Sequence, residues 1–403
     1  MTPISGRPTD NWSPLYFLAA VGAGGLAVTF FMYLLFWVPH PNATVPVFED
    51  IVAAWGKANP WQQFGIVAAM LGIAFFAFQN VRYLIWNFAK FAEFKKTEGY
   101  RKLRHSNGET QLLAMPLAVA MSINGMFIVG LVFVPNLWSV VEFLFPAAMV
   151  AFVLTGLLAL RMIGHFLGRV LSEGGLFDVT AHNSFAQLLP AFALAMVAVG
   201  LSAPAAMSTS TSVVGASLIL STFFGLIALI YVAVAAVTAF NSMLHYGTAK
   251  EAAPTLMIVI PLMTVLGIMT LRQNHGLHTS FEAHSSNIDT LMTLTQFLTV
   301  QILFLLLGLT VQRRQGYAAT FLTGDKNSAG SYALVCPGVA LSVMTQFWLH
   351  KGLVAVGLVA QFSVTYWIIV GIALAFQFAM IALVFHLNRR HFAKSVTVAV
   401  PAE

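Results

Sequence analysis

Ten apolar runs alternate with polar or helix-breaking stretches along the chain, at about residues 14–38, 62–88, 110–135, 138–160, 184–203, 211–240, 254–271, 288–312, 331–350 and 362–387. An apolar helix of ~20 residues rises ~1.5 Å per residue and so covers a ~30 Å hydrocarbon core. Each run therefore predicts one membrane-spanning helix. Pro135-Asn136 and Ala203-Pro204 mark short turns that join neighbouring spans.

A second pattern lies on the odd-numbered spans. Near their starts four of them carry a proline, Pro116, Pro190, Pro261 and Pro337, and the local sequence repeats as TQLLAMP, AQLLP and SYALVCP. Span one has Pro14 at its start and glycines Gly22, Gly24 and Gly25 at a similar depth. A proline inside a helix removes a backbone hydrogen bond and bends the axis, which lipid tolerates only where protein or a water-filled path satisfies the freed groups. The same spans show small or hydroxyl stripes at helical spacing, among them Gly25 with Thr29, Ser122 with Gly125, Thr264 with Gly267, and Gly338 with Ser342 and Thr345. Small residues serve close helix packing and also line narrow pores. The repeat on five spans predicts an all-α integral membrane protein, one transmembrane domain over residues 1–403. Ten transmembrane helices form five tandem helical hairpins, with the proline-kinked odd helices around a central pore.

Composition agrees and narrows the class. Hydrophobic residues make up 59% and charged residues 8% of the 403 residues, against about 25% charged in an ordinary soluble domain. No polar stretch is long enough for a sizeable soluble domain. A polar start followed by an apolar run of about 25 residues, with no small-residue cleavage site beside it, reads as a first span rather than a signal peptide. One cysteine, Cys336, excludes an intrachain disulfide framework. The net charge of +6 is spread over loops rather than a folded face, so no nucleic acid is expected as partner. Of the 20 lysines and arginines, only Lys57, Arg272 and Lys351 fall on one side, Arg82 lies within span two, and the rest gather on the other. The positive-inside rule then puts both termini in the cytoplasm, in a plasma or inner membrane.

Ten spans, both termini inside, and five hairpins with proline-bearing inner helices resemble the tellurite-resistance (TehA) and slow-anion-channel family, with its malate and sulfite exporters. Two stretches, NWSPLYFLAAVGAGGLAVTFFMYLLFWVPHP from Asn11 and SYALVCPGVAL from Ser331, are similar to the TsoY group of bacterial membrane (seleno)proteins, in which some members carry selenocysteine at the position of Cys336. The resemblance covers nearly the whole chain and is architectural. It implies a homotrimer in which each protomer holds its own pore for small anions. The family's gate is a phenylalanine on the ninth span. Here that span has only Phe347, near its outer end, and Phe192, two residues after Pro190, is a second candidate plug.

The candidate pore and substrate residues are Cys336, Pro337, Gly338, Ser342, Pro116, Ser122, Pro190, Phe192, Pro261, Thr264 and Gly25. Cys336 has two readings. A buried thiol is commonly an inert small hydrophobe. Beside a helix break near the inner mouth, it would meet soft metals, thiols or selenium species. After span seven, RQNHGLHTSFEAHSS gathers His275, His278, Glu282 and His284, metal-ligand types at a spacing that fits no standard site and reads first as an exposed polar loop. Arg272, just before them, would raise the anion concentration at a pore mouth. Asn124, Gln187 and Gln346 are the polar intrusions into odd spans, and Glu142 sits near the outer end of span four. His165, His182, His386 and His391 fall at loop positions or helix ends and read as surface or interface residues.

Buried Asp, Glu or His would mark a proton-driven transporter, and their scarcity favours passive conduction. No nucleotide loop, catalytic triad or haem-type histidine pair is present, so no cofactor is expected and enzymatic activity is not. The sequence thus predicts a passive channel or facilitator for a small anion, with sulfur or selenium oxyanions among the candidates. The alternative is a thiol-dependent membrane redox or soft-metal-handling protein that uses Cys336.

Overall fold

The structure is a computed structural model that describes residues 7–41, 43–174, 178, 180, 183–284 and 286–393. His182 and Lys394 lie outside these residues. Among the described residues ten helices are long and apolar enough to cross a membrane: α1 Pro14–Trp37, α2 Pro60–Phe94, α3 Asn107–Phe133, α4 Leu137–Glu173, α5 Phe185–Met207, α6 Thr211–Tyr246, α7 Lys250–Phe281, α8 Asn287–Arg314, α9 Ala329–Val354 and α10 Val364–Phe392. No strand occurs among them. All ten predicted spans are present. Helices α2, α4 and α6 run several residues past the apolar runs at the end where the described termini lie, because polar residues outside hydrocarbon need not end a helix.

The odd helices form a closed ring. α1 packs on α3, α3 on α5, α5 on α7, α7 on α9, and α9 back on α1. α2, α6, α8 and α10 each lie mainly against the odd helix that precedes them, while α4 packs against both α3 and α5. Burial separates the two sets: the most apolar windows of the odd helices are 56% to 94% buried, those of the even helices 17% to 33%. Side chains such as Phe143, Leu154, Ile219, Val234 and Ile368 leave the even helices pointing outward, as suits a helix whose other face meets lipid.

The prolines mark a change of pitch. Every odd helix begins as a 3-10 segment, at Pro14–Tyr16, Asn107–Leu113, Phe185–Leu188, Lys250–Ile258 and Ala329–Leu334. The α-helical part then starts at Phe17, Ala114, Leu189, Val259 and Val335. Pro116, Pro190, Pro261 and Pro337 occupy the second or third α-helical position, where a missing N–H costs least. The bend is thus a tight lead-in turn rather than a mid-helix kink. Serines open four of the lead-ins: Ser13, Ser106, Ser184 and Ser328 each accept from the backbone N–H two residues on, at 3.1–3.4 Å. Upstream, α4, α6 and α8 are followed by Gly174, Gly247 and Gly316 at φ 64°, 74° and 62°, a conformation that glycine reaches without Cβ strain.

The even helices are not wholly outside. Phe145, Ala148, Met149 and Phe152 of α4 reach the space inside the ring. α5 is also interrupted, its α-helical part ending at Leu201 ahead of Pro204. The freed carbonyls find other donors: Ser217 Oγ bonds Leu201 O at 2.6 Å, and Ser202 Oγ bonds Val199 O at 2.8 Å. A short helix, Phe48–Lys57, joins α1 to α2 and has no counterpart in the sequence reading.

Candidate functional site: a cavity inside the five-helix ring

Inside the ring lies a cavity of about 830 Å3, lined by all five odd helices, by α4 and, at the mouth, by the start of α8. Its floor is formed near Val21, Gly22, Met121, Phe192, Pro261 and Cys336, and it extends toward His40, Arg272, His275 and Lys351 at the end away from the described termini. Cys336 and Lys351 are fifteen positions apart on α9, so the cavity runs ~20 Å along the axis.

At the opposite end a separate vestibule of about 970 Å3 is lined by the lead-ins of all five odd helices, with Gln111, Gln187, Thr255 and Gly330 among them. Between the two spaces the ring is packed. Leu18, Leu113, Leu117, Leu188, Ile258 and Val335 are all buried. α1 and α9 are drawn together here because a Cβ on Gly22 would stand 2.8 Å from Val335 Cγ1, and one on Gly25 2.8 Å from Val339 Cγ1. These side chains form a packed layer between the cavity and the vestibule.

The sequence-predicted site residues divide into two groups. Cys336, Phe192, Pro261, Thr264, Gly25 and Phe347 line the cavity. Phe192 is at the floor and almost fully buried, whereas Phe347 sits toward the mouth, edge-on to Phe36 at 5.5 Å. Pro116, Ser122, Pro190, Pro337, Gly338 and Ser342 are not part of its lining. Ser122 spends its hydroxyl on Ala118 O at 2.9 Å. Gly338 faces α10, where an added Cβ would meet Met380 Cγ at 2.5 Å, so its small size serves packing between hairpin partners. Thr264 is partly committed, donating to Ala340 O at 3.2 Å and accepting from Gln301 Nε2 at 2.6 Å. Sequence reasoning put Cys336 close to the inner mouth. The thiol instead belongs to the far-end cavity, with buried Ser331, Tyr332, Leu334 and Val335 between it and the vestibule.

The expected histidine loop is helical. His275 and His278 lie in the last turns of α7, and both line the cavity mouth, while Glu282 closes the helix in the left-handed region at φ 56°. Glu282 and His284 are not in the lining. No three His, Cys, Asp or Glu side chains among the described residues come together as a metal site. Glu142 is spent on the α5–α6 turn, accepting from Ser208 Oγ at 2.6 Å and Thr209 N at 2.7 Å. His165 joins Arg104 and Arg169 around Glu109 at the end of the described termini. His391 is fully buried, bonded to Tyr16 Oη at 2.8 Å.

What the sequence left unassembled is the charge pattern of the cavity. Arg272, Lys351, His40, His275, His278 and His350 all line it, and no Asp or Glu does. His350 and His40 went unnoticed because they belong to distant stretches of the chain, α9 and the segment after α1, and only the ring brings them together. The lower walls are apolar, and Asn124, the polar intrusion there, donates its amide to Ala120 O at 3.0 Å.

In comparison with known proteins, no family model matches the chain and no curated protein matches it. The fold resemblance therefore lends this site no residue roles, and its function is argued from geometry.

Proposed function

We propose that the protein is a passive channel or facilitator for small anions, with one conduit inside each chain. The observation that carries this reading is the one-signed lining: two permanent cations and four histidines face a cavity that no carboxylate faces. Low-dielectric walls focus such a field and concentrate anions at the mouth. Of the side chains that carry protons in coupled transporters, the lining holds histidines and no carboxylate, so a proton-coupled mode is separated from passive conduction by the flux assay below. Because the floor is packed, conduction requires a second arrangement in which Phe192 leaves the axis.

The clustering of lysine and arginine supports a topology with both termini in the cytoplasm of a plasma or inner membrane, so the basic cavity opens outward. A homotrimeric assembly rests on the TehA resemblance alone. A second reading has one observation behind it: Cys336 shares the cavity with Met121 and Met196, and sulfur ligands suit soft cargo. In that case Cys336 would handle a thiol, selenium species or soft metal.

Proteoliposomes loaded and diluted in chloride, nitrate, sulfite and selenite test the proposal. Electrogenic anion flux that needs no proton gradient is expected. Absence of flux for every anion, or strict dependence on a proton gradient, would overturn it.

A further inference from the structure

Arg272 is held in an unusual way. Its Nη1 donates to the carbonyl of Val199 at 2.8 Å, an oxygen close to the interruption of α5 that also accepts from Ser202 Oγ at 2.8 Å. Among the described residues that is its one hydrogen bond to protein, and no carboxylate lies within ion-pair distance of it. A guanidinium carries five donors in a planar fork. One is fixed to the wall, and the side chain lines the cavity with the others unmatched. The acidic side chain nearest in sequence, Glu282, is not in the lining, and Glu142 is spent on Ser208 and Thr209.

Several other polar residues at the mouth are already committed. Asn287 Nδ2 donates to Ala355 O at 3.1 Å, Thr290 Oγ1 to Ser286 O at 3.3 Å, and His350 Nδ1 bonds Gln346 O at 2.8 Å. Lys351 adds a charge, but an ammonium is a point charge on a flexible stem, without a fork. A cation in a partly enclosed apolar cavity needs a counter-charge, and the chain provides none beside Arg272.

Building on the anion-conduit reading, we propose that Arg272 is a binding station that selects oxyanions over halides by bidentate hydrogen bonding. Two parallel N–H···O bonds need two oxygens at the spacing of a carboxylate, sulfite, selenite or nitrate. A halide offers one centre and gains only the charge. Lys351 draws anions in without distinguishing them. Arg272 is anchored at Val199, so its plane is preset and little rotamer freedom is lost on binding.

Equilibrium binding to purified protein in lipid nanodiscs, measured for chloride and selenite beside the flux assay, tests this. The wild type should prefer selenite by about tenfold, ~1.4 kcal/mol. Arg272→Lys keeps the charge and loses the fork, so the preference should fall to about twofold or less while chloride binding stays within about twofold. Lys351→Gln should weaken both anions and leave their ratio unchanged. Retention of the preference in Arg272→Lys, or a ratio that moves in Lys351→Gln instead, would overturn the proposal.

Should the lysine variant fail to fold, the wild type supplies the measurement. An arginine-directed dicarbonyl reagent, read by peptide mapping at Arg272, should be blocked by selenite and not by equal chloride; equal protection by both, or none, overturns the station. Selenite binding at Arg272 without flux of any anion would remove the conduit and leave the station standing. Flux with no oxyanion preference would do the reverse.

Discussion

His350 Nε2 and the Tyr366 hydroxyl meet at 2.9 Å, joining the wall of the cavity to the helix behind it. The other ring nitrogen, Nδ1, faces the Gln346 carbonyl at 2.8 Å. A carbonyl can only accept, so Nδ1 carries the proton and Nε2 accepts from Tyr366. That hydroxyl in turn accepts from Trp37 Nε1 at 2.7 Å. The imidazole also stacks on Phe36, with ring centres 4.0 Å apart. Tyr366→Phe would strand the indole N–H and the imidazole nitrogen together. A loss of about 1–3 kcal/mol is expected, read as a lower unfolding midpoint in detergent. An unchanged midpoint would show that the chain of bonds does not hold this corner.

Cys336 should be reached from the Lys351 side. A small, membrane-impermeant thiol reagent is expected to label it slowly from that side and not from the side of the termini, since buried residues separate it from the vestibule. On the conduit reading, Cys336→Ser keeps most of the flux. Loss of all activity in a correctly assembled serine variant would favour the thiol-based alternative.

Phe192 is the bulkiest apolar side chain placed by α5 at the cavity floor. Phe192→Ala should raise basal anion flux several-fold, while Phe347→Ala, near the mouth, should change it little. Flux unaltered by Phe192→Ala would take Phe192 out of the gate.

Glu109 is buried between two arginines, with Arg104 Nη1 at 2.8 Å from one carboxylate oxygen and Arg169 Nη2 bonded to the other. It pins the lead-in of α3 to the end of α4. Glu109→Ala leaves two cations facing each other, and breaking such a buried group costs about 3–5 kcal/mol. Thermal unfolding should show it. A variant as stable as the wild type would mean that solvent replaces the carboxylate.

Two glycines on ring helices should respond in opposite ways. A Cβ at Gly25 would stand 2.8 Å from Val339, whereas at Gly125 nothing lies within 4 Å. Gly25→Val should destabilise by about 1–3 kcal/mol through overpacking. Gly125→Ala should be neutral, or stabilising by up to about 1 kcal/mol from reduced backbone entropy of the unfolded chain. Equal losses would mean that both positions are close-packed.

The ten spans, the hairpin order and the special standing of the odd helices were legible in the sequence, because each follows from local information. Apolar length sets a span, and a recurring proline marks a recurring backbone feature. What the proline does was not legible. Pro116 and Pro337 looked like kinks about a turn and a half into their helices, and only the observed bonding pattern shows a 3-10 lead-in handing over to an α-helix.

Which face of each helix meets the cavity was also decided by tertiary structure. Gly338 and Ser342 follow Cys336 on one span, yet Cys336 reaches the cavity and Gly338 packs on Met380. A helix that is apolar on every side gives its own sequence no sign of which stripe faces inward. The basic mouth needed the ring most of all. Arg272 on α7, Lys351 on α9 and His40 after α1 are far apart in sequence, and it is ring closure by five helices that brings them to one cavity.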